Sequence, residues 1–150
     1  MSTPVGALFG RGAAGLPPPE PVDFRSLALP RSPNACLAAP AGAHPEAHLS
    51  TPPLPVSAAT AWPALRGFGR RFPRTYPLAE WPGRRQAQWV ERSALLNFPD
   101  VIAAELADGP DGAAGLFLFS RSLFGRSDFG VNRRRVQAWI TGFEAALHGR

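Results

Sequence analysis

Residues 120–135, SRSLFGRSDFGVNRRR, carry the chain out of an apolar run and into its most regular helical pattern. The run that enters this stretch, Ala114 to Phe119, is apolar throughout, as a central strand would be. Beyond it, Val136, Ile140, Phe143 and Leu147 recur at helical spacing, and at about 100° per residue Phe129 falls within about 40° of the same line. That phase predicts a helix beginning near Asp128, whose carboxylate would accept a backbone N–H as the N-cap. Asn132 then sits at the edge of the buried face and Arg134 on the outside, with Arg133 and Arg135 flanking the stripe. An Asn132 cap would instead set three arginines in the first turn against the helix dipole. Gly125 and Gly130 fall where the strand has to turn into the helix.

Working outward, Asp108-Gly109-Pro110-Asp111-Gly112 is the strongest turn signal in the chain and predicts a hairpin between a strand over 101–107 and the apolar run. Phe98-Pro99-Asp100 reads as a corner. Residues 85–96 place Gln88, Val90 and Arg92 opposite Ala87, Trp89 and Glu91, a period-two strand with one wet face. Residues 74–81 contain Pro77 and so predict an edge strand or a bulge, with Gly83 turning the chain afterwards. Ala61, Leu65, Phe68 and Phe72 predict a helix within 57–72. Thr60 is the preferred N-cap, because Pro63 then falls in the first turn, where its missing N–H is not needed. Gly67 and Gly69 weaken that helix and Pro73 ends it.

The front of the chain differs in kind. Twelve of the eighteen prolines lie in the first 55 residues and none follows Pro110. Residues 1–21 read as a disordered or extended tail, with Pro17 to Pro21 as linker. Residues 22–150 read as a single domain whose compact part spans about 56–148. Between them, 22–29 is a short strand or an anchor docking Phe24 and Leu27, a turn at 32–34 leads to a short extended piece, and 40–55 is a proline-rich connector. The expected fold is α+β: a four- to five-stranded, mostly antiparallel sheet, largely a meander, covered on one face by two helices.

All sixteen basic residues are arginine, against eleven acids, for a net charge of +5. The charge comes in blocks, net +5 over 61–92, −4 over 93–119 and +4 over 120–135, which suggests strands or faces that pair with one another. His44-Pro45-Glu46-Ala47-His48 is not a zinc-protease signature, since the Glu sits one place late and Pro45 interrupts the helix needed. These are read as solvated loop histidines. Cys36 is the single cysteine, which excludes an intrachain disulfide and a cysteine-based zinc site. No apolar run approaches the ~18 residues of a spanning helix, and the expected compartment is the cytoplasm, with no cofactor.

Pro33-Asn34, Pro73-Arg74-Thr75, Arg92-Ser93 with Phe98-Pro99-Asp100, and above all Ser120-Arg121-Ser122 with Gly125, Ser127-Asp128, Gly130, Asn132 and Arg135 carry a resemblance. From about Asp23 to Leu147 the chain resembles the domain-of-unknown-function family 1499. The resemblance implies a small bacterial or plastid α/β domain, often behind a membrane segment or signal, a feature not found in this sequence. It implies no activity.

The chemistry expected is that of a binding or interaction module. A helix N-terminus favours anions, and Arg121, Ser122, Arg126, Ser127, Asn132 and Arg135 form the candidate anion-binding set, with Asp100, Gly125, Asp128 and Gly130 as its structural frame. The ligand would be a small anion or an acidic protein partner. The structural alternative pairs Arg121 and Arg135 with Asp100 or Glu105, tying strand to helix. Two further readings stand beside these. One is an enzyme built around Arg121, Asp128 and Asn132, although no catalytic motif is recognisable. The other is weak nucleic-acid binding through 61–92, using Arg66, Arg70, Arg71, Arg74, Arg84 and Arg85 with Trp62, Trp81 and Trp89 as stacking platforms.

Overall fold

The computed structural model describes residue 8 and residues 10–109, 112–125 and 128–148. Its frame is a six-stranded mixed sheet. The strands are β1 (Ala35–Pro40), β2 (Leu49–Thr51), β3 (Thr75–Trp81), β4 (Gln86–Arg92), β5 (Pro99–Asp108) and β6 (Ala114–Ser122), in the order β2-β1-β6-β5-β4-β3. β3 to β6 form the expected antiparallel meander, with the edge strand β3 slipping register between Pro77 and Ala79. β1 adds antiparallel to β6, which puts β6 in the middle of the sheet.

The expectation of four or five strands missed β2, which makes the sheet mixed. β2 pairs parallel to β1 through Ala38↔Leu49 and Pro40↔Thr51. Three residues inside a proline-rich connector carry no periodicity to read. His48 closes the loop between the two strands. Its N–H donates to Leu37 O at 2.8 Å, and its Nδ1 accepts from Leu37 N at 2.9 Å.

Strand alternation divides the core in two. Cys36, Trp89, Ile102 and Leu118 face the two helices, α1 (Ala58–Arg66) and α2 (Val131–Leu147). Leu37, Ala103, Phe117 and Phe119 face the other way and pack against Phe24, the anchor residue, which sits in a single 3-10 turn.

α1 starts from Ser57, not Thr60: the Ser57 hydroxyl accepts from Thr60 N at 3.2 Å. Pro63 therefore lies in the second turn, and the Ala59 carbonyl it leaves free is on the exposed side, where water can satisfy it. The helix stops at Gly67, and a separate 3-10 turn, Phe68–Arg71, drives Phe68 into the core. Phe68 meets Trp139 and Phe143 edge to face at centroid distances of 5.2 and 5.3 Å. Gly69 is needed there, because a Cβ would stand 2.5 Å from Trp89 Cδ1.

Two further expectations are corrected. β4 has no wet face. Gln86, Gln88 and Arg92 are buried, because residues 10–22 lie along that side of the sheet. Gln88 donates to Glu20 O at 2.8 Å, and Gln86 exchanges two 2.8 Å hydrogen bonds with the Val22 backbone. Arg92 donates to Gly12 O and Ala14 O, both at 2.9 Å. Nor does Phe129 belong to the buried stripe of α2; it is 88% exposed. Phe129 and Gly130 both have left-handed backbones, with φ of 52° and 83°, and the helix begins only at Val131. The stripe is Val136, Trp139, Phe143 and Leu147, headed by a fully buried Asn132.

Candidate functional site

Asn132 gathers the end of β6, the start of α2 and the turn before β1 into one polar cluster. Its Oδ1 accepts from Ser120 Oγ at 2.6 Å and from Arg135 Nη1 at 2.8 Å. Its Nδ2 donates toward Asp128 Oδ2 at 2.7 Å, Ser122 Oγ at 2.8 Å and Asn34 O at 3.0 Å. The N-cap is Gly130, not the expected Asp128, but the Asp128 carboxylate, three residues before Val131, still accepts from Gly130 N at 2.8 Å and from the first-turn Asn132 N at 3.1 Å. Burial works to raise the Asp128 carboxyl, yet these donated hydrogen bonds outweigh it and leave its pKa lowered. Gly125 joins the corner through its carbonyl, which accepts from Asn34 Nδ2 at 3.1 Å.

Arg135 fixes the charge balance. Its guanidinium meets Glu91 Oε2 at 2.7 Å and Asp100 Oδ2 at 2.9 Å, tying α2 to β4 and β5. Burial alone would lower the pKa of this arginine, but the two carboxylates raise it overall. Burial pushes Asp100 up, with Arg135 and Ser122 only partly offsetting the loss of water. The strand-to-helix pairing thus holds for Arg135 with Asp100, with Glu91 as a partner that charge counting did not single out. Two buried donors one helical turn apart, Arg135 Nε and Trp139 Nε1, have no hydrogen-bond partner among the described residues.

Arg121 lies elsewhere. It pairs in register with Val101 and Ala35, so it points to the face opposite Ser120, Ser122, Asn132 and Arg135. There it stands between two hollows of about 500 and 610 Å³. The first has walls of Leu16, Pro18, Val22, Leu78 and Phe119; the second is lined by Leu27 and Leu29, and the acids at their rims are Glu20 and Asp23. Among the described residues Arg121 forms no ion pair. Although the residue as a whole stays exposed, partial desolvation pulls its pKa below the ordinary value. The structure therefore brings Ser122, Asn132 and Arg135 together and separates Arg121 from them. Arg126 and Ser127, and the turn residues Pro110 and Asp111, lie outside the described residues.

The basic segment 61–92 is largely engaged. Arg66 pairs with Glu80 at 3.1 Å, Arg84 with Glu105 at 3.5 Å and Arg85 with Asp108 at 3.6 Å. Arg74 donates to Arg92 O, and Arg71 lies over the Phe68 ring. Trp89 is buried, so it offers no open stacking face. The loop histidines are pins in the fold more than solvated groups. His44 Nε2 donates to Leu27 O at 2.8 Å and its Nδ1 accepts from Glu46 N at 3.0 Å. Cys36 is buried under α2, and burial raises its thiol to about 11.

What sequence reasoning missed are the amides and the guanidinium that hold Leu8 and residues 10–22: Gln86, Gln88, Arg92 and Asn97. Asn97 donates 2.7 Å hydrogen bonds to Leu8 O and Gly10 O. Their signal was a period-two run of long polar side chains in a strand, which reads equally as a wet face.

Fold and cluster together define a small α+β domain whose last strand and last helix are joined by a hydrogen-bonded polar corner. A family model described as "Protein of unknown function (DUF1499)" matches residues 25–143, and the chain belongs to this family. No curated protein matches the sequence. Among the described residues, no helix is long and apolar enough to cross a membrane.

Proposed function

We propose that this protein is a non-enzymatic binding module, and that its ligand is a small organic anion with an apolar body, held in the groove beside Arg121. One observation carries the reading. Arg135 has two carboxylate partners within the corner, whereas Arg121 has no ion pair among the described residues and stands over apolar walls. An anion entering the corner competes with Glu91 and Asp100; one entering the groove gains a guanidinium able to bind a carboxylate or phosphate in a bidentate way. On this reading the anion lies on the other face of the strand from the junction where the sequence suggested it. A buried, unpaired Cys36 fits a cytoplasmic setting.

Thermal-shift titration with acetate, hexanoate, decanoate, benzoate and phosphate tests the reading. Stabilisation should grow with the apolar body of the anion and vanish in Arg121→Met, which keeps the aliphatic stem but loses the charge. If no anion raises the melting temperature, or if Arg126→Ala abolishes the response and Arg121→Met does not, the groove is not the site.

A further inference from the structure

We propose that the end of the molecule carrying residues 93–98, 123–125 and 128–131 is a docking surface for an anionic lipid bilayer. β4 ends, β5 begins, β6 ends and α2 begins at this one end of the sheet. The loops there carry Leu95, 92% exposed, Leu96, 57% exposed, and Phe129, 88% exposed. Phe98, Phe124 and Val131 extend the same patch, with the Phe98 and Phe124 rings stacked at 5.9 Å and bridging the two loops.

These tips are braced outward. Ser93 N donates to Phe98 O at 2.9 Å, Phe98 N to the Ser93 hydroxyl at 2.9 Å, and Asn97 N to Ser93 O at 3.2 Å. Asn97, left-handed at φ 58°, anchors the loop to Leu8 O and Gly10 O. Leu123 N reaches across to Pro99 O. The fold thus spends its local hydrogen bonds on holding two leucines into water, where large apolar side chains are unfavourable unless something covers them.

Charge selects the cover. Arg11, Arg31, Arg74, Arg133 and Arg134 are exposed around this end, and none forms an ion pair among the described residues. Arg134 sits against Phe129, donating to its carbonyl at 3.2 Å. The acids of this end are occupied: Glu91 and Asp100 by Arg135, and Asp128 by the start of α2. At the far end the arginines Arg84 and Arg85 have carboxylate partners. Apolar tips ringed by unneutralised arginines are the pattern of interfacial membrane binding. A protein partner of this surface would need a cavity shaped to the protruding tips, whereas a bilayer conforms to them.

The test is co-sedimentation of the full chain with vesicles of phosphatidylcholine alone and of phosphatidylcholine with phosphatidylglycerol. The chain should sediment with the anionic vesicles, less so with the neutral ones, and should be released by salt. Arg133→Gln with Arg134→Gln should weaken binding about fivefold per arginine. Leu95→Ser with Leu96→Ser should weaken it further, at an unchanged melting temperature, since both side chains are already in water. Arg66→Gln with Arg70→Gln, on α1 and the turn after it, should leave it unchanged. Equal sedimentation with both vesicle types, or loss on charge removal anywhere together with indifference to the leucine changes, overturns the proposal. So does a leucine variant that alters only the elution volume in size-exclusion chromatography, which makes the patch a self-association surface.

Discussion

Replacing Asn132 should expose how much of the fold depends on the corner. In Asn132→Ala the partners at 2.6 to 3.0 Å all lose the amide at once. The losses are unequal. Arg135 keeps Glu91 and Asp100, and Asp128 keeps the Gly130 and Asn132 backbone N–H groups. The Asn34 carbonyl keeps the Ser122 N–H at 2.9 Å and the serine hydroxyls can rotate to other acceptors, so one or two corner groups are left short around a position that is itself fully buried. At about 1–3 kcal/mol for each buried polar group left unsatisfied, the net cost is about 3 kcal/mol. For a chain of this size that lowers the melting temperature by about 6–12 °C.

The companion change Asn132→Asp separates hydrogen bonding from shape. It keeps the acceptor that faces Ser120 and Arg135 but puts an oxygen where Nδ2 stood, 2.7 Å from Asp128 Oδ2 and 3.0 Å from Asn34 O. Two carboxylates in contact raise one pKa. The variant should therefore be at least as unstable as Asn132→Ala at neutral pH and recover part of the loss on acidification, when the new carboxyl is protonated and donates again. Urea denaturation at two pH values measures both. A loss below about 1 kcal/mol for Asn132→Ala, or an Asn132→Asp protein as stable as the parent at neutral pH, refutes the claim that these hydrogen bonds hold strand to helix.

Three other outcomes follow from the same geometry. Gly69→Ala should cost about 2–3 kcal/mol in urea denaturation, because the new methyl meets Trp89 at 2.5 Å and that ring is held against Trp139 at 5.0 Å; an unchanged midpoint would mean the turn gives way freely. Cys36, with its thiol near 11, is almost wholly un-ionised at mildly alkaline pH and lies out of solvent, so Ellman's reagent should label it only after denaturant is added. Asp128 binds a proton less readily folded than unfolded, so its contribution to stability is present above the usual carboxylate range and is lost as pH falls through the lowered folded value. Asp128→Asn should accordingly melt lower at neutral pH and show a shallower acid limb, and a parallel downward shift at every pH would contradict that assignment.

The elements that were legible in the sequence are those with a long, unambiguous period. The meander from β3 to β6 and the body of α2 could be read because clear turns bound the weakly alternating 101–107 and the apolar run of β6, although β5 itself extends to ten residues. Asp128 could be read as a carboxylate that takes up free N–H groups at the helix start, though not as the N-cap residue, which is Gly130. Phe129 fitted the wheel and still left the core. A helical phase does not register a pair of left-handed residues at the start, and Gly130 only hints at them. The division of the candidate site was legible and went unused: in a strand, Ser120 and Ser122 share a face that Arg121 cannot, so the period that placed β6 also separates its arginine from Asn132.

The other face of the sheet shows why polar patterning misleads. Gln86, Gln88 and Arg92 look like a solvated edge, yet each is buried and bonded to the backbone of residues 12–22. That segment has no regular secondary structure of its own from which its carbonyls could be satisfied, and long polar side chains from a strand are among the few groups that can reach them. The family match begins at Arg25, so these donors lie inside it and their acceptors outside it. Physically the two cannot be separated at no cost: removing residues 10–22 would uncover Phe119 and the apolar wall of the Arg121 groove and strip backbone partners from Gln86, Gln88, Arg92 and Asn97. The irregular front of the chain is therefore a third layer of the fold, and the groove beside Arg121 exists because that layer covers the sheet without filling it.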